Sequence, residues 1–401
     1  MDRREFLKTT ALATIAIAGS QINPPAVISS HASEKPAVKS YRELGKTGLK
    51  MSDISMGTGK LSAASMILRA VDSGINYFDT APDYGLAEEL MGHAMGRLDR
   101  SRIVIATKFC NPLVYPSHLP AGSNKKDYII AVEGSLSRMK TDYIDICFVH
   151  AIGEMSKDIE AEKRRILDEN MLLAFNELKK AGKVRFLGIS SHGPNNMEEL
   201  LMTAVRSGYY DIIMPSFNFM KFPKLPDVIK EAHSNKIAVV AMKTLAGAKD
   251  INIDSKGEEF AHAAFKWVLK HNEVSGLVVT IKTVADLEMY LKASGMKFSN
   301  KDQQMLDQYA MRYGREYCRT GCNDCERFCP HGVEIANIMR YRMYFNDYGM
   351  EKTAMEAYAS LDKNAESCAS CRKFTCTTGC PYGLPVHSML AAAHKTISFK
   401  A

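Results

Sequence analysis

Eight short β-rich runs alternate with helical stretches from about Tyr41 to Gly295, and eight of the ten cysteines fall in two runs after Tyr317. These observations predict an α/β chain: a (β/α)8 TIM barrel over 41–298, then a small, mainly helical cysteine-bound domain over 299–401. The strand-like runs are Asp53–Gly57, Ile75–Asp79, Ile103–Lys108, Tyr143–His150, Val184–Ser190, Asp211–Phe217, Ile237–Lys243 and Gly276–Ile281. Ile103-Val104-Ile105-Ala106 is continuously apolar, as a strand buried between a barrel core and its helices should be. Helical patterns follow the runs, including Ser65–Ser73, Asp127–Met139, Lys163–Lys180, Asn196–Arg206, Glu258–His271 and Val284–Lys292.

Barrel enzymes place their chemistry at the C-terminal ends of the strands. Here the second run ends in Asp79, the third in Lys108 and the fourth in His150, with Tyr84 on the loop after Asp79. A lone lysine or histidine at a strand end is ordinarily solvated or structural. A carboxylate, a phenol, an ammonium and an imidazole at successive ends form a candidate catalytic set.

The tail carries Cys318-Cys322-Cys325-Cys329-Pro330 and Cys368-Cys371-Cys376-Cys380-Pro381. Close thiolate spacing ended by Cys-Pro suits two 4Fe–4S clusters, because short loops let sulfurs converge on one cube while proline turns the chain away. Structural zinc is the alternative, since Cys322/Cys325 and Cys368/Cys371 also suit a tetrahedral site. Disulfides suit such short, crowded runs poorly. The runs resemble two-cluster bacterial ferredoxins, in which the fourth cysteine of each run serves the other cluster. That resemblance implies Cys318, Cys322 and Cys325 with Cys380, and Cys368, Cys371 and Cys376 with Cys329. Three residues between Cys318 and Cys322 and four between Cys371 and Cys376 depart from its two-residue spacing.

At the N-terminus, Arg3-Arg4-Glu5-Phe6-Leu7-Lys8 and the apolar Ala11–Ala18 resemble a twin-arginine (Tat) export signal. Ser30-His31-Ala32 offers a cleavage site, giving a signal over 1–32, a linker over 33–40 and an extracytoplasmic, for example periplasmic, destination. An uncleaved amphipathic anchor is the other reading. The Tat machinery carries folded proteins, so a cluster assembled in the cytoplasm can travel with its protein. The apolar stretch falls short of the roughly 20 residues that span a bilayer, so no permanent membrane span is expected. With 46% hydrophobic and 24% charged residues and a formal charge of +7, the composition is ordinary and lends nucleic-acid binding no support.

From Arg42-Glu43-Leu44-Gly45-Lys46-Thr47-Gly48-Leu49 through Phe78-Asp79-Thr80-Ala81-Pro82-Asp83-Tyr84-Gly85, Thr107-Lys108, Asp142-Tyr143-Ile144-Asp145, His150 and Gly182–Ser191, the chain resembles the aldo-keto reductase family. The tail resembles the branch of that family with a ferredoxin-like iron–sulfur extension. The resemblance implies an oxidoreductase that interconverts a carbonyl and an alcohol, with Asp79, Tyr84, Lys108 and His150 as its catalytic tetrad. Tyr84 would donate a proton to the substrate oxygen, Lys108 would lower the phenol's pKa from about 10, Asp79 would hold Lys108, and His150 would orient the substrate.

The same resemblance implies NADP(H) at the rim, with Ser190 and Ser191 on the carboxamide, Phe217 stacked on the nicotinamide and Lys282 on the 2′-phosphate. After the eighth run, however, Thr280 replaces the family's glycine and Tyr290 its asparagine, so the backbone cannot approach a pyrophosphate as freely. No Gly-x-Gly-x-x-Gly offers another site. Free coenzyme is not expected outside the cytoplasm, so the clusters would relay electrons to or from a redox partner protein. The alternatives are an NADP(H)-dependent reductase with structural clusters and a non-catalytic electron-transfer or assembly subunit. Cys110 and Cys147 read as small apolar packers, His93, His262 and His271 as surface or packing groups, and the 23 methionines as core fillers. His118 and His192 fall on rim loops, where a substrate role is open.

Overall fold

The structure, a computed structural model, describes residues 35–220, 224–247 and 257–398. The predicted signal lies outside them. The first paired strands form a hairpin, β1 (Tyr41–Glu43) with β2 (Lys50–Ser52), that the alternating pattern did not reveal. Its turn holds Gly45 at φ +54°, where a Cβ would lie 2.5 Å from the Lys236 carbonyl oxygen, so only glycine fits. Leu44 and Met51 from this hairpin join the apolar interior of the barrel.

The eight predicted strands are all present: β3 (Ile54–Gly57), β4 (Tyr77–Asp79), β5 (Val104–Lys108), β6 (Ile144–Val149), β7 (Val184–Ser191), β8 (Ile212–Pro215), β9 (Ala238–Ala241) and β10 (Gly276–Thr280). They are parallel neighbours in sequence order, and β10 pairs with β3 to close the barrel. Inward positions carry Tyr77, Val104, Ala106, Ile146, Phe148, Met214 and Val240. Gly188 on β7 faces the Phe148 ring at a distance where a Cβ would clash, 2.5 Å, so this glycine makes room for the interior aromatic. Outward positions pack on the helices and form the larger apolar shell.

Those helices are α1 (Ala64–Asp72), α2 (Ala87–Met95), α3 (Lys125–Met139), α4 (Ile159–Ile166), α5 (Glu169–Lys180), α6 (Met197–Ser207), α7 (Leu225–Ser234), α8 (Gly257–Leu269) and α9 (Val284–Leu291). The helix expected over Lys163–Lys180 is in fact two. Asp168 interrupts it by capping α5, its carboxylate accepting from Met171 N at 2.9 Å and from Gly122 N at 2.6 Å. Propensity alone does not reveal α2, because Gly92 lies within it; a Cβ there would sit 2.1 Å from the Arg138 carbonyl oxygen, so helix packing selects the glycine. Pro226 at the start of α7 is a helix-initiation signal.

The tail opens with α10 (Asn300–Tyr313), whose N-terminus is closed by the reciprocal Ser299–Asp302 capping box. Asp302 also pairs with Lys266 of α8 at 2.5 Å, and Tyr309 stacks on Phe260 with centroids 4.5 Å apart. Then follow α11 (Ile335–Tyr348), α12 (Glu351–Ala359), α13 (Thr375–Thr378) and α14 (Val386–Ile397). The mainly helical tail has its own core around Val333, Ile338, Tyr358 and Leu390, which includes Cys325, Cys368 and Cys376, with Cys318, Cys329 and Cys380 packed against it. Met339 of α11 enters this core and Met343, one turn on, enters the barrel's, so both cores share one helix. From Pro36 onward barrel and tail form one compact unit. No helix among the described residues is long and apolar enough to cross a membrane.

Candidate active site

Strand order delivers the predicted tetrad to one rim. Asp79 ends β4, Lys108 ends β5 and His150 follows β6, and all three are buried. Lys108 Nζ donates to Asp79 Oδ1 and to the Thr80 carbonyl, both at 2.7 Å. The same ammonium lies 4.9 Å from the centre of the Tyr84 ring, and that ring meets His150 edge-on at 5.9 Å. Burial, then the charges of Asp79 and Asp83, holds the Tyr84 phenol well above its ordinary pKa. This corrects the expectation that Lys108 lowers it: Lys108 is committed to Asp79, and desolvation dominates. Tyr84 is therefore a firmly protonated donor.

His150 is neutral at ordinary pH, because burial and then the neighbouring His118 and Lys108 push its pKa well below the usual value. Its Nε2 is buried and has no hydrogen-bond partner, while Nδ1 lies 3.3 Å from Cys110 Sγ. An unsatisfied ring nitrogen beside Tyr84 is suited to a substrate oxygen.

Behind His150 stands a polar group that sequence reasoning largely missed. Cys110, read as an apolar packer, touches both His118 Nδ1 (3.5 Å) and His150 Nδ1. Asp83 Oδ2 lies 3.7 Å from His118 and 3.8 Å from His150. Glu154 accepts from His118 Nε2 at 3.2 Å, from Tyr115 at 2.5 Å and from Tyr344 of the tail at 2.9 Å. Burial opposes the Glu154 charge, but these hydrogen bonds and the nearby histidines hold its carboxyl well below the usual range. Asp83 had one available signal, its place beside Tyr84. Glu154 had none, since its partners lie on distant segments.

The tail covers this rim through α11. Arg340 donates to His192 Nδ1 at 2.9 Å, Asn337 accepts from Asn195 at 3.2 Å, and Tyr348 lies under Lys243 Nζ at 4.6 Å. His192, expected on a rim loop, thus binds the tail. Lys243 is pulled down to about 7 by burial and by Arg340. Gly321 meets Met197 of α6 so closely that a Cβ would sit 2.3 Å from the Met197 Cβ, another glycine required by the seam.

The four expected coenzyme contacts do not assemble. Ser190 Oγ accepts from Ala151 N at 3.0 Å and Ser191 donates to the Ile152 carbonyl at 2.8 Å, so both hydroxyls brace the loop after His150. Phe217 packs on Trp267 and His271, in the shell between strands and helices. Strand alternation turns its neighbours Ser216 and Asn218 the other way, and Asn218 donates to the Lys243 carbonyl and to Tyr317. Lys282 is exposed. At the start of α9 the Asp286 carboxylate accepts from Lys282 N and Thr283 N, placing a negative charge where a phosphate was expected. These residues fit NADP(H) poorly.

The tail cysteines separate into two neighbourhoods. Burial, then Cys322 and Cys380, pushes Cys318 up to about 12. Burial, then Cys318 and Cys380, raises Cys325, and Cys322 is raised to about 11 with Cys380 among its causes after burial. Cys368 is raised to about 11 by burial, then by Cys329, Cys376 and Cys371. Cys376 responds in the same way to burial and Cys329. Four sulfurs per neighbourhood is a donor set suited to an iron–sulfur cube, whose metal would replace the protons that burial favours.

The sequence profile of the Aldo/keto reductase family matches residues 50–251. The chain is 26% identical to L-galactose dehydrogenase of Arabidopsis thaliana over 306 residues, covering 67% of this chain and 92% of that protein. It is 24% identical to L-glyceraldehyde 3-phosphate reductase of Escherichia coli K12, again covering 67% and 92%. A crystal structure of a provisionally assigned aldo-keto reductase from Pseudomonas aeruginosa superposes with a TM-score of 0.52 at 25% identity, over 65% of this chain and 97% of that one. The profile runs from the hairpin strand β2 past the end of β9 and so takes in every strand end that bears a tetrad residue. The chain therefore belongs to the aldo/keto reductase family, as an oxidoreductase acting on carbonyl or alcohol groups.

Proposed function

We propose that this protein is an exported iron–sulfur oxidoreductase of the aldo/keto reductase type, interconverting a small carbonyl compound and its alcohol at Tyr84. Two 4Fe–4S clusters in the tail relay electrons between the barrel and a redox partner protein. One observation carries the reading: α11, the helix between the two cysteine runs, lays Arg340 and Tyr344 on the histidine–glutamate group behind His150. Reducing a carbonyl takes two electrons and two protons: the redox partner would supply the electrons, Tyr84 the proton for the oxygen, which His150 Nε2 orients, and solvent water the proton for the carbon, water then reprotonating Tyr84. The clusters supply one-electron carriers when bound. Cys318, Cys322, Cys325 and Cys380 would hold one, and Cys329, Cys368, Cys371 and Cys376 the other.

Anaerobically reconstituted protein is expected to contain about eight irons per chain, with Cys329→Ala and Cys380→Ala damaging different clusters in electron paramagnetic resonance spectra. Zinc instead of iron in the tail, or four irons after full reconstitution, would overturn the two-cluster reading. A conventional reductase with structural clusters remains the second reading, favoured by membership of a family that usually uses NADP(H). Tight quenching of NADPH fluorescence, lost in Lys282→Ala, would select it. The poor fit of Ser190, Ser191, Phe217 and Lys282 predicts no such binding.

Export is expected to depend on Arg3 and Arg4, whose role is receptor recognition. Changing both to lysine keeps the charge and should leave folded, cluster-containing precursor in the cytoplasm. Normal accumulation outside it would show another route.

A further inference from the structure

We propose that Asp83, Cys110, His118 and His150 form a closed tetrahedral site for a divalent metal, best suited to zinc, directly behind the substrate-facing nitrogen of His150. The four ligand atoms lie within 4.8 Å of one another, and all four residues are buried. The sulfur is 3.5 Å from His118 Nδ1 and 3.3 Å from His150 Nδ1, and Asp83 Oδ2 is 3.7 and 3.8 Å from the same two nitrogens. Zinc bonds of about 2.0–2.1 Å to nitrogen and oxygen and about 2.3 Å to sulfur give tetrahedral edges of about 3.3–3.6 Å. The four sulfur–nitrogen and oxygen–nitrogen edges, 3.3–3.8 Å, thus lie within tenths of an ångström of those a coordination shell requires.

Three further features point to a cation. Asp83 is 4% exposed, its Oδ1 has no hydrogen-bond partner, and no lysine or arginine among the described residues lies within ion-pair distance of it. A buried carboxylate with no full positive charge beside it is costly. One carboxylate, one thiolate and two neutral imidazoles cancel a charge of +2, which makes the filled site neutral. The outer nitrogen of His118 is meanwhile held by Glu154 at 3.2 Å, and Glu154 by Tyr115 and Tyr344. A carboxylate on the far nitrogen of a metal-bound histidine is a recurring support for such sites. A plain hydrogen-bonded cluster explains less, because at 3.7 and 3.8 Å both inner nitrogens lie beyond hydrogen-bond distance of Asp83 Oδ2.

The metal would have four protein ligands and no open position, so it would not touch substrate. Its effect on the reaction runs through His150, a positioning effect: Nδ1 on the metal obliges Nε2 to carry the proton, making the unpartnered Nε2 a hydrogen-bond donor to the substrate oxygen. Binding releases the Cys110 thiol proton to solvent and involves no electron transfer.

The test uses the full chain, purified anaerobically, loaded with zinc chloride and passed over a chelating resin. Iron and zinc are then measured in the same sample. The expected result is one zinc per chain beyond any iron, with X-ray absorption at the zinc edge showing one sulfur at about 2.3 Å and three nitrogen or oxygen neighbours at about 2.0 Å. His118→Ala should lose the zinc and keep its iron, and Glu154→Gln should weaken zinc binding about 10–100-fold. Zinc surrounded by sulfur alone, zinc retained in His118→Ala, or no zinc retained by the wild-type chain would each overturn the site. The wild-type spectrum needs no variant, so a misfolded mutant does not rescue the proposal, and iron content reports separately on the tail.

Discussion

Tyr84→Phe is expected to slow carbonyl reduction by about 10²–10⁴-fold, the usual worth of a positioned general acid, while leaving the fold and the metal content of the purified protein unchanged. The substitution keeps the ring that lies edge-on to His150 and 4.9 Å from Lys108 Nζ, and removes only the hydroxyl. Because burial and two carboxylates hold the phenol well above its ordinary pKa, the proton is present on Tyr84 throughout the neutral range. It leaves only as the substrate oxygen gains charge, so the loss belongs to the chemical step rather than to binding. Single-turnover rates with saturating substrate measure that step. A variant within threefold of wild type there would remove Tyr84 from the mechanism and favour a non-catalytic barrel.

The largest stability effect is expected at Asp79. Asp79→Ala leaves the Lys108 ammonium buried with only the Thr80 carbonyl at 2.7 Å, and removing one partner of a buried ion pair costs about 3–5 kcal/mol. The Asp79→Ala/Lys108→Met double variant removes both charges and should recover most of that loss, although neither variant should retain activity. Denaturant midpoints of the three proteins, measured anaerobically, give the comparison. A loss below about 0.5 kcal/mol in Asp79→Ala would be that of an ordinary surface substitution and would show that the pair is solvated.

Both effects involve residues that were legible in the sequence, and the reason is local. Asp79, Lys108 and His150 are polar residues closing apolar runs, and a strand that ends in a reactive group at a barrel rim announces itself in a few consecutive letters. The eight strands were legible for the same reason. The α4–α5 break was not, because Asp168 takes its place from a hydrogen bond to Gly122 far back in the chain. Phe217 looked like a stacking aromatic by position, yet which face of β8's extension it occupies depends on packing against Trp267 and His271.

By itself the sequence determined the barrel, its four reactive strand-end groups and the two clustered thiol runs, since each follows from short-range periodicity or spacing. Tertiary structure alone decided that Cys110 faces two histidines rather than a core, that Glu154 ties His118 to Tyr344, and that α11 covers the rim. Those contacts join segments up to 190 residues apart in the chain. No local pattern encodes them, because each side chain's partner is chosen by how the barrel closes and where the tail docks, and burial then turns those meetings into the charges and unsatisfied atoms on which the site's chemistry rests.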